Sequence, residues 1–522
     1  MGRQRTRMEV WLGCGVATLA VVVVALTITI IVMVTKKSDT LPAAPTAPAS
    51  TVSTVASTTS TIAPPPADPY QQPYNENLYD TIVRQNLAQQ ADISTQLLQE
   101  FQPMNIRDNL RWLTKTLHVA GTPENAAVMK QLGQQYQSYG LTLKTHDYQV
   151  LLSYPNYSMP NTIEVQLAGQ MDWNLVSNGT AQLLGPPEAM QQENDSRALN
   201  WWNGYAKDGV ATGRLVYANY GSLTDYVLLD SHNISLQGAI VIARYGDIFR
   251  GAIAVEAERR GAVGVIIFND PLDYANDLPA SDTFPNTIWL PPSGAQRGTL
   301  LQTDGDPLTP FYPAKPYTYR TTDEATLRKE HAMPNVPVTP IGYRDALTIF
   351  QQMTGPEVTG DFAQWKGGMN VTYRMNGGDS TFRLTVNAFT DMRTITNVVA
   401  LFYGADEPDK WVMFGNHVDA WTFGSIDPNS GTATMLEMAR VVATVSNRTG
   451  WRPKRTLAFC QWDAEEYGLV GSTEYVEEHL KLLENRAIAL LNVDNINGNV
   501  TLAAKGVPLL YRALVDAAAK VP

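Results

Sequence analysis

Seven side chains of the types that hold metal ions or move protons follow strand-length apolar runs between residues 411 and 495: His417, Asp419, Asp427, Asp463, Glu465, Glu466 and Asp494. Six carboxylates and one imidazole gathered in one place repel one another unless something positive sits among them. A pair of zinc ions meets that need, because zinc accepts histidine nitrogen and carboxylate oxygen and leaves a position open for water. Two such ions roughly 3.5–4 Å apart suit amide hydrolysis, polarising the carbonyl and acidifying the water. Adjacent glutamates then divide the work: one coordinates, and its neighbour takes the water's proton and delivers it to the leaving amine. Any single aspartate at a strand end reads equally well as a loop residue or helix cap. The ordered set does not.

The flanking sequence supplies elements that could bring these residues together. Each group follows a short apolar run of strand length, Trp411–Phe414, Thr456–Phe459 and Ala487–Val493. Helical periodicity separates the runs, as where Met435, Ala439 and Val442 follow Asp427 at i, i+4 and i+7. Strands alternating with helices predict an α/β fold with a mixed, mainly parallel sheet, and such sheets bind ligands beyond the carboxyl ends of their strands.

The motifs HVDA, IDPNSG and WDAEEYGLVGSTE, with an aspartate ending the next strand, resemble the zinc exopeptidases of the glutamate carboxypeptidase II and transferrin receptor group. The likeness runs from about Phe101 onward and includes HVAGT, LLSYPN, IVIARYG, FRG and GDPLTPFYPA. It implies that His417 and Asp494 bind the first zinc, that Glu466 binds the second, and that Asp427 bridges them. Glu465 becomes the general base, and Asp419 orients His417. It also implies a structural calcium ion on side-chain or backbone atoms of Thr309, Tyr312, Glu474 and Glu477. The family's second zinc takes a further histidine downstream of the strand ending in Asp494. None of the six here (His118, His146, His232, His331, His417, His479) follows it, and His479 reads as an exposed helix residue. The family's C-terminal helical dimerisation domain is missing too, so the likeness implies a truncated product, fragment or short isoform. Its second zinc site would be incomplete and its homodimer in question.

Val10–Val34 is 25 residues without a charge, long enough to cross a hydrocarbon core of about 30 Å. A signal-peptide apolar region runs only about 7–15 residues, which favours a membrane anchor over a cleaved leader. Arginines 3, 5 and 7 precede the span and put the N-terminus inside. Sequons at Asn156, Asn178, Asn194, Asn233, Asn370, Asn447 and Asn499, all beyond the span, fit a glycosylated ectodomain at the plasma membrane in type II orientation. Cys14 and Cys460 imply no disulfide framework. A net charge of −11 without basic clusters excludes nucleic acid as a partner.

The domain reading is a cytoplasmic tail (1–9), a transmembrane helix (10–34), a Ser/Thr/Pro-rich stalk (35–69), and a peptidase domain in two parts (70–151 and 391–522). An insertion at 152–390 separates the two parts. Gln96–Leu117 and Glu124–Leu141 read as two amphipathic helices, with Gly140 stopping the second. In the insertion, GAIVIARYG, FRGAIAVEAERRGAVG and VIIFNDP read strand, helix, strand. The segment resembles the family's protease-associated (apical) domain, and Trp201 and Trp202 read as packing residues. Where the glutamate-cleaving members hold acidic substrates with two arginines and an asparagine, the matching positions here are Ser222, Ala503 and Thr299. Strict preference for acidic dipeptides is therefore not expected. Two functions fit: a membrane-anchored dizinc exopeptidase trimming peptides from either end, or a non-catalytic receptor on the same fold. A receptor has no need of Glu465 beside four ligands.

Overall fold

The computed structural model describes residues 92–185, 187–275, 279–496 and 504–521. The apolar run at 10–34, the stalk, Asn499 and Ala503 lie outside them. Among the described residues no helix is long and apolar enough to cross a membrane.

The larger sheet has five strands: β1 (Thr142–Pro155), β2 (Ala388–Phe402), β3 (Glu407–His417), β4 (Arg455–Trp462) and β5 (Ala487–Asn492). Their order in space is β1-β2-β4-β3-β5. β3 lies parallel to β4 and β5, whereas β2 runs antiparallel to both β1 and β4. β1, β3, β4 and β5 therefore share one direction and β2 alone opposes them, so the sheet is mixed and mainly parallel in direction. β1 and β2 make a long two-stranded ribbon that leads into and out of the insertion, and such ribbons pair antiparallel. All eight residues of β4 are buried, as the central position of an apolar run requires.

Helices α1 (Pro103–Leu113), α2 (Pro123–Ser138), α3 (Asn429–Thr449), α4 (Val470–Arg486) and α5 (Pro508–Ala518) pack around it. The expected unbroken helix from Gln96 is in fact two, one through 92–100 and then α1. Pro103 excludes helical geometry at the residue before it, and Gln102 is extended at φ −119°, ψ 105°. α2 begins at the Thr122 cap, which accepts from the Asn125 amide at 3.3 Å. Its chain then turns at Gly140, φ +87°, the left-handed region that glycine enters without strain. α3 is buried on nearly every side, and its one interior carboxylate, Glu437, is fully satisfied. The Gln102 amide (2.8 Å), Asn105 Nδ2 (3.0 Å) and Arg440 Nε (2.8 Å) all bond to it, clamping the N-terminal helices onto α3.

Between β1 and β2 lies the insertion, with its own core. Strands 338–341, 264–268, 240–244 and 215–217 form a parallel four-stranded sheet, and the Arg250–Arg259 helix joins the middle two. The strand–helix–strand reading of this region holds. A second, antiparallel sheet of 174–177, 162–166, 381–386 and 209–213 completes the unit. Trp201 and Trp202 are buried packing residues, and Trp202 meets Trp421 edge-on at 4.7 Å. A shared apolar seam, with Tyr205 and Leu301 from the insertion and Tyr148, Tyr467 and Val470 from the five-stranded unit, joins the two.

Gly431 opens α3 beneath the segment that carries Asp494, and a Cβ there would overlap the Val493 and Asp494 carbonyl oxygens. Gly431→Ala is expected to lower stability by about 1–3 kcal/mol, the usual cost of overpacking, and to weaken zinc binding with it. Denaturant melts and zinc titration of the variant check both.

Candidate metal centre

All three polar groups stand at the carboxyl ends of parallel strands. β3 ends on His417, β4 runs into Asp463–Glu466, and β5 into Asp494. His417 Nε2 lies 3.1 Å from Asp427 Oδ1, 2.9 Å from Asp494 Oδ1 and 3.7 Å from Glu465 Oε2. One ring nitrogen therefore faces three carboxylates, and it has at most one proton to give. Asp494 Oδ1 is buried and off the hydrogen-bond axis, so it is left without a hydrogen bond. His417, Asp427 and Asp494 close to within 4.8 Å of one another and could hold a metal ion.

Asp419 is fully buried beneath them. Its carbonyl oxygen lies 2.9 Å from His417 Nδ1 and its carboxylate 3.5 Å. Its nearer contact with the imidazole is through the backbone. The carboxylate has a second task, accepting from the Glu465 amide at 2.9 Å and the Glu466 amide at 3.3 Å. That bond pins the turn holding both glutamates. Asn416 adds a brace, accepting from the His417 amide at 2.8 Å and donating to Thr432 Oγ1 at 2.6 Å. Ser430 Oγ accepts from the Ile496 amide at 2.8 Å, fixing the chain just past Asp494.

Burial opposes charge on His417, yet the carboxylates of Asp419, Asp427 and Asp494 outweigh it and hold the imidazole pKa well above its usual value. Burial pushes the Glu465 carboxyl up to about 7, partly offset by His417 and reinforced by Asp419, Asp494 and Asp427. Glu466 is raised well above the usual carboxylate range by burial first and by Asp427, Asp419 and Glu465 after it. The side chains present fit a divalent ion: the donor set is nitrogen and oxygen, one oxygen is orphaned, and negative charge exceeds what one imidazole can balance.

Other residues fall elsewhere. Asp463, though between the other acids in sequence, turns away and accepts from Asn125 Nδ2 at 2.7 Å and the Thr396 amide at 2.9 Å. Glu466 stands outside the closed group of His417, Asp427 and Asp494. His118 is buried behind the site, with Nδ1 2.6 Å from the Thr116 carbonyl and Nε2 accepting from Asn429 at 2.9 Å. Among the described residues no second imidazole joins Asp427 and Glu466. His479, expected to be exposed, is half-buried against His146 and Tyr475.

Of the four residues matched to calcium, Thr309 and Glu474 are buried, while the Tyr312 side chain is exposed, leaving its backbone as the available donor. Glu474 accepts from the Asp306 amide at 2.7 Å and the Ala314 amide at 2.5 Å. Burial pushes its carboxyl up to about 8, against those two bonds and with the charges of Glu477 and Asp306. Glu477 Oε2 is buried with no partner. Asp306, which accepts from Thr309 Oγ1 at 2.9 Å, is a third carboxylate that motif matching missed. The Gly-Asp-Pro turn that carries it was its only signal in sequence.

Residues 397–507 match peptidase family M28, and residues 211–302 match the PA domain. The chain thus contains a peptidase M28 domain and a PA domain. It is 40% identical over 426 residues to a glutamate carboxypeptidase 2 homolog of Caenorhabditis briggsae, covering 80% of this chain and 54% of that one. It is 37% identical over 435 residues to aminopeptidase NAALADL1 of Mus musculus, covering 80% and 56%. The chain thus spans just over half the length of the curated relatives it matches. Among solved structures, an aminopeptidase from Aneurinibacillus sp. strain AM-1 aligns at TM-score 0.44 and 20% identity, over 77% of this chain and 72% of that one. The PA-domain match lies between the two strands of the β1–β2 ribbon.

With metal removed, Glu465 sits near 7 and Glu474 near 8, both above the ordinary 4.5. A carboxyl whose pKa is raised by folding stabilises the fold below its unfolded value, and that contribution is lost as pH climbs through the folded value. The chelated chain should therefore melt lower at pH 8 than at pH 5, and added zinc and calcium should restore the melting temperature at pH 8. An equal or higher melting temperature at pH 8 in chelator contradicts this account.

Proposed function

We propose that this chain carries the catalytic portion of a membrane-anchored dizinc exopeptidase, facing the cell exterior and removing terminal residues from peptides. The observation that carries the reading is the convergence of Asp427, Asp494 and Glu465 on one nitrogen of His417. His417 and Asp494 would hold one zinc, with Asp427 shared with a second on Glu466. Bound zinc would supply Lewis-acid activation of the scissile carbonyl and of water. Glu465, fixed by its amide bond to Asp419 and poised near neutrality, would take the proton and return it to the leaving amine. A receptor that had abandoned chemistry would gain nothing from holding that glutamate so.

The extracellular placement, at the plasma membrane in type II orientation, draws on the apolar run at 10–34 and on the sequons. Asn156, Asn178, Asn194, Asn233, Asn370 and Asn447 are all exposed. Relaxed side-chain preference draws on the pocket positions. The Ser222 hydroxyl is committed to capping the Leu223–Ser231 helix with Asp225, and Thr299 Oγ1 donates to the Tyr467 carbonyl at 3.2 Å. Neither offers a guanidinium to an acidic substrate.

A calcium ion on Glu474, Glu477 and the Thr309–Tyr312 backbone would neutralise the carboxylates shared with Asp306. It would tie the insertion to α4. Chelation by EGTA should then lower the melting temperature of the parent chain, and Glu477→Gln should remove that dependence. An EGTA effect undiminished in the variant argues against the site.

Kinetics on a dipeptide panel test the catalytic reading. In the full-length protein, Glu465→Gln should keep its zinc and lose about 10²–10⁴ in kcat, while the parent cleaves neutral residues at least as fast as glutamate. Undiminished turnover by the variant removes Glu465 from the mechanism. A strict demand for glutamate removes the relaxed preference.

A further inference from the structure

We propose a second, separate transition-metal site on this chain, formed by His146 of β1 with Glu478 and His479 of α4. It would take a borderline divalent ion such as Zn2+ and fasten the helix to the outer strand of the sheet. His146 Nδ1 lies 3.1 Å from His479 Nε2 and 3.7 Å from Glu478 Oε2. The remaining pair, His479 Nε2 and Glu478 Oε2, is 3.6 Å apart. An ion bonded tetrahedrally at about 2.0–2.2 Å holds its ligand atoms about 3.3–3.6 Å from one another. The three separations bracket that range, so the atoms already mark one face of a tetrahedron. Two imidazoles and one carboxylate select zinc-like ions, whereas calcium and magnesium prefer oxygen throughout.

The local backbone favours the same reading. Neighbouring residues of a regular helix point about 100° apart and do not share a ligand. α4 departs from helical geometry at His479, φ −114°, ψ 17°, and there Glu478 and His479 both reach His146. Tyr475, one turn earlier, walls the pair, its ring centroid 4.5 Å from His479 and 5.0 Å from His146.

Two groups already touch the carboxylate. The Tyr148 hydroxyl donates to Glu478 Oε2 at 2.6 Å, and Lys315 Nζ lies 2.7 Å from the same oxygen. The phenol can stay as an outer support. The ammonium cannot, since it holds the position and the charge that the ion would take. Lys315 is therefore the competitor, and metal and lysine exchange on one oxygen. Lys315 also follows directly on Ala314, whose amide Glu474 holds, so the exchange acts on the loop that joins the insertion to α4.

Metal-stripped full chain, titrated with Zn2+ and then Ni2+ in equilibrium dialysis with elemental analysis, tests this. His417→Ala should retain one equivalent. His146→Ala and His479→Gln should each lose one equivalent relative to the parent. Lys315→Met should bind that equivalent about tenfold tighter, the weight of one charge-assisted hydrogen bond. Because the histidine substitutions also remove packing against Tyr475, the gain in Lys315→Met is the result that misfolding cannot imitate. Parental stoichiometry in both histidine variants overturns the proposal. So does unchanged affinity in Lys315→Met, or loss of all bound metal in His417→Ala.

Discussion

Three carboxylates share one imidazole nitrogen at the end of β3, and much of the peptidase fold follows from keeping them there. Left alone they would separate, since like charges a few ångströms apart in a dry site cost several kcal/mol. They are held by backbone rather than by one another. Asp494 is placed by β5 and by Ser430, Asp427 by the start of α3, and Glu465 by the carboxylate of Asp419. Asp419 is the pivot, because it faces the imidazole on one side and fixes both glutamate amides on the other. A side chain that touches neither substrate nor its bonds sets the spacing of those that would.

The surroundings are built to resist relaxation. β4 and α3 are buried almost throughout, and α3 carries its one interior charge fully satisfied. Close-packed interiors do not yield gradually, so the strand ends stay aligned even where the electrostatics oppose it. Such preorganisation is what makes a developing charge cheap to stabilise.

Much of this was legible in the sequence, for physical reasons. Apolar runs of strand length that break into acids mark strand ends, and β3, β4 and β5 lie where those runs lie. The insertion's strand–helix–strand pattern was equally plain. The rest depended on tertiary contacts that spacing does not encode. Asp463 sits among the acids in sequence, yet Asn125, 338 residues earlier, draws it away. His479 has the surroundings of a solvent-facing helix residue until β1 brings His146 against it. Asp306 looks like any turn aspartate until α4 sets Glu474 beside it. Which strand runs against the other four was not legible, because β2 is not followed by a helix returning to the sheet in the same sense, and nothing local announces that. Pro103 was visible, and the break it forces could have been read.

The β1–β2 ribbon sends the chain out at Pro155 and receives it back at Ala388, and these two residues are partners across the ladder. Everything in residues 156–387 is thus a single closed excursion from one point on the sheet. The entropy of closing such an excursion rises only with the logarithm of its length, about 0.6 kcal/mol for each doubling. Additions or deletions inside the insertion therefore weigh little on the peptidase core. A scaffold wired in this way can remodel the insertion by indels while the strands that position His417, Glu465 and Asp494 keep their register, so the two can diversify at different evolutionary rates.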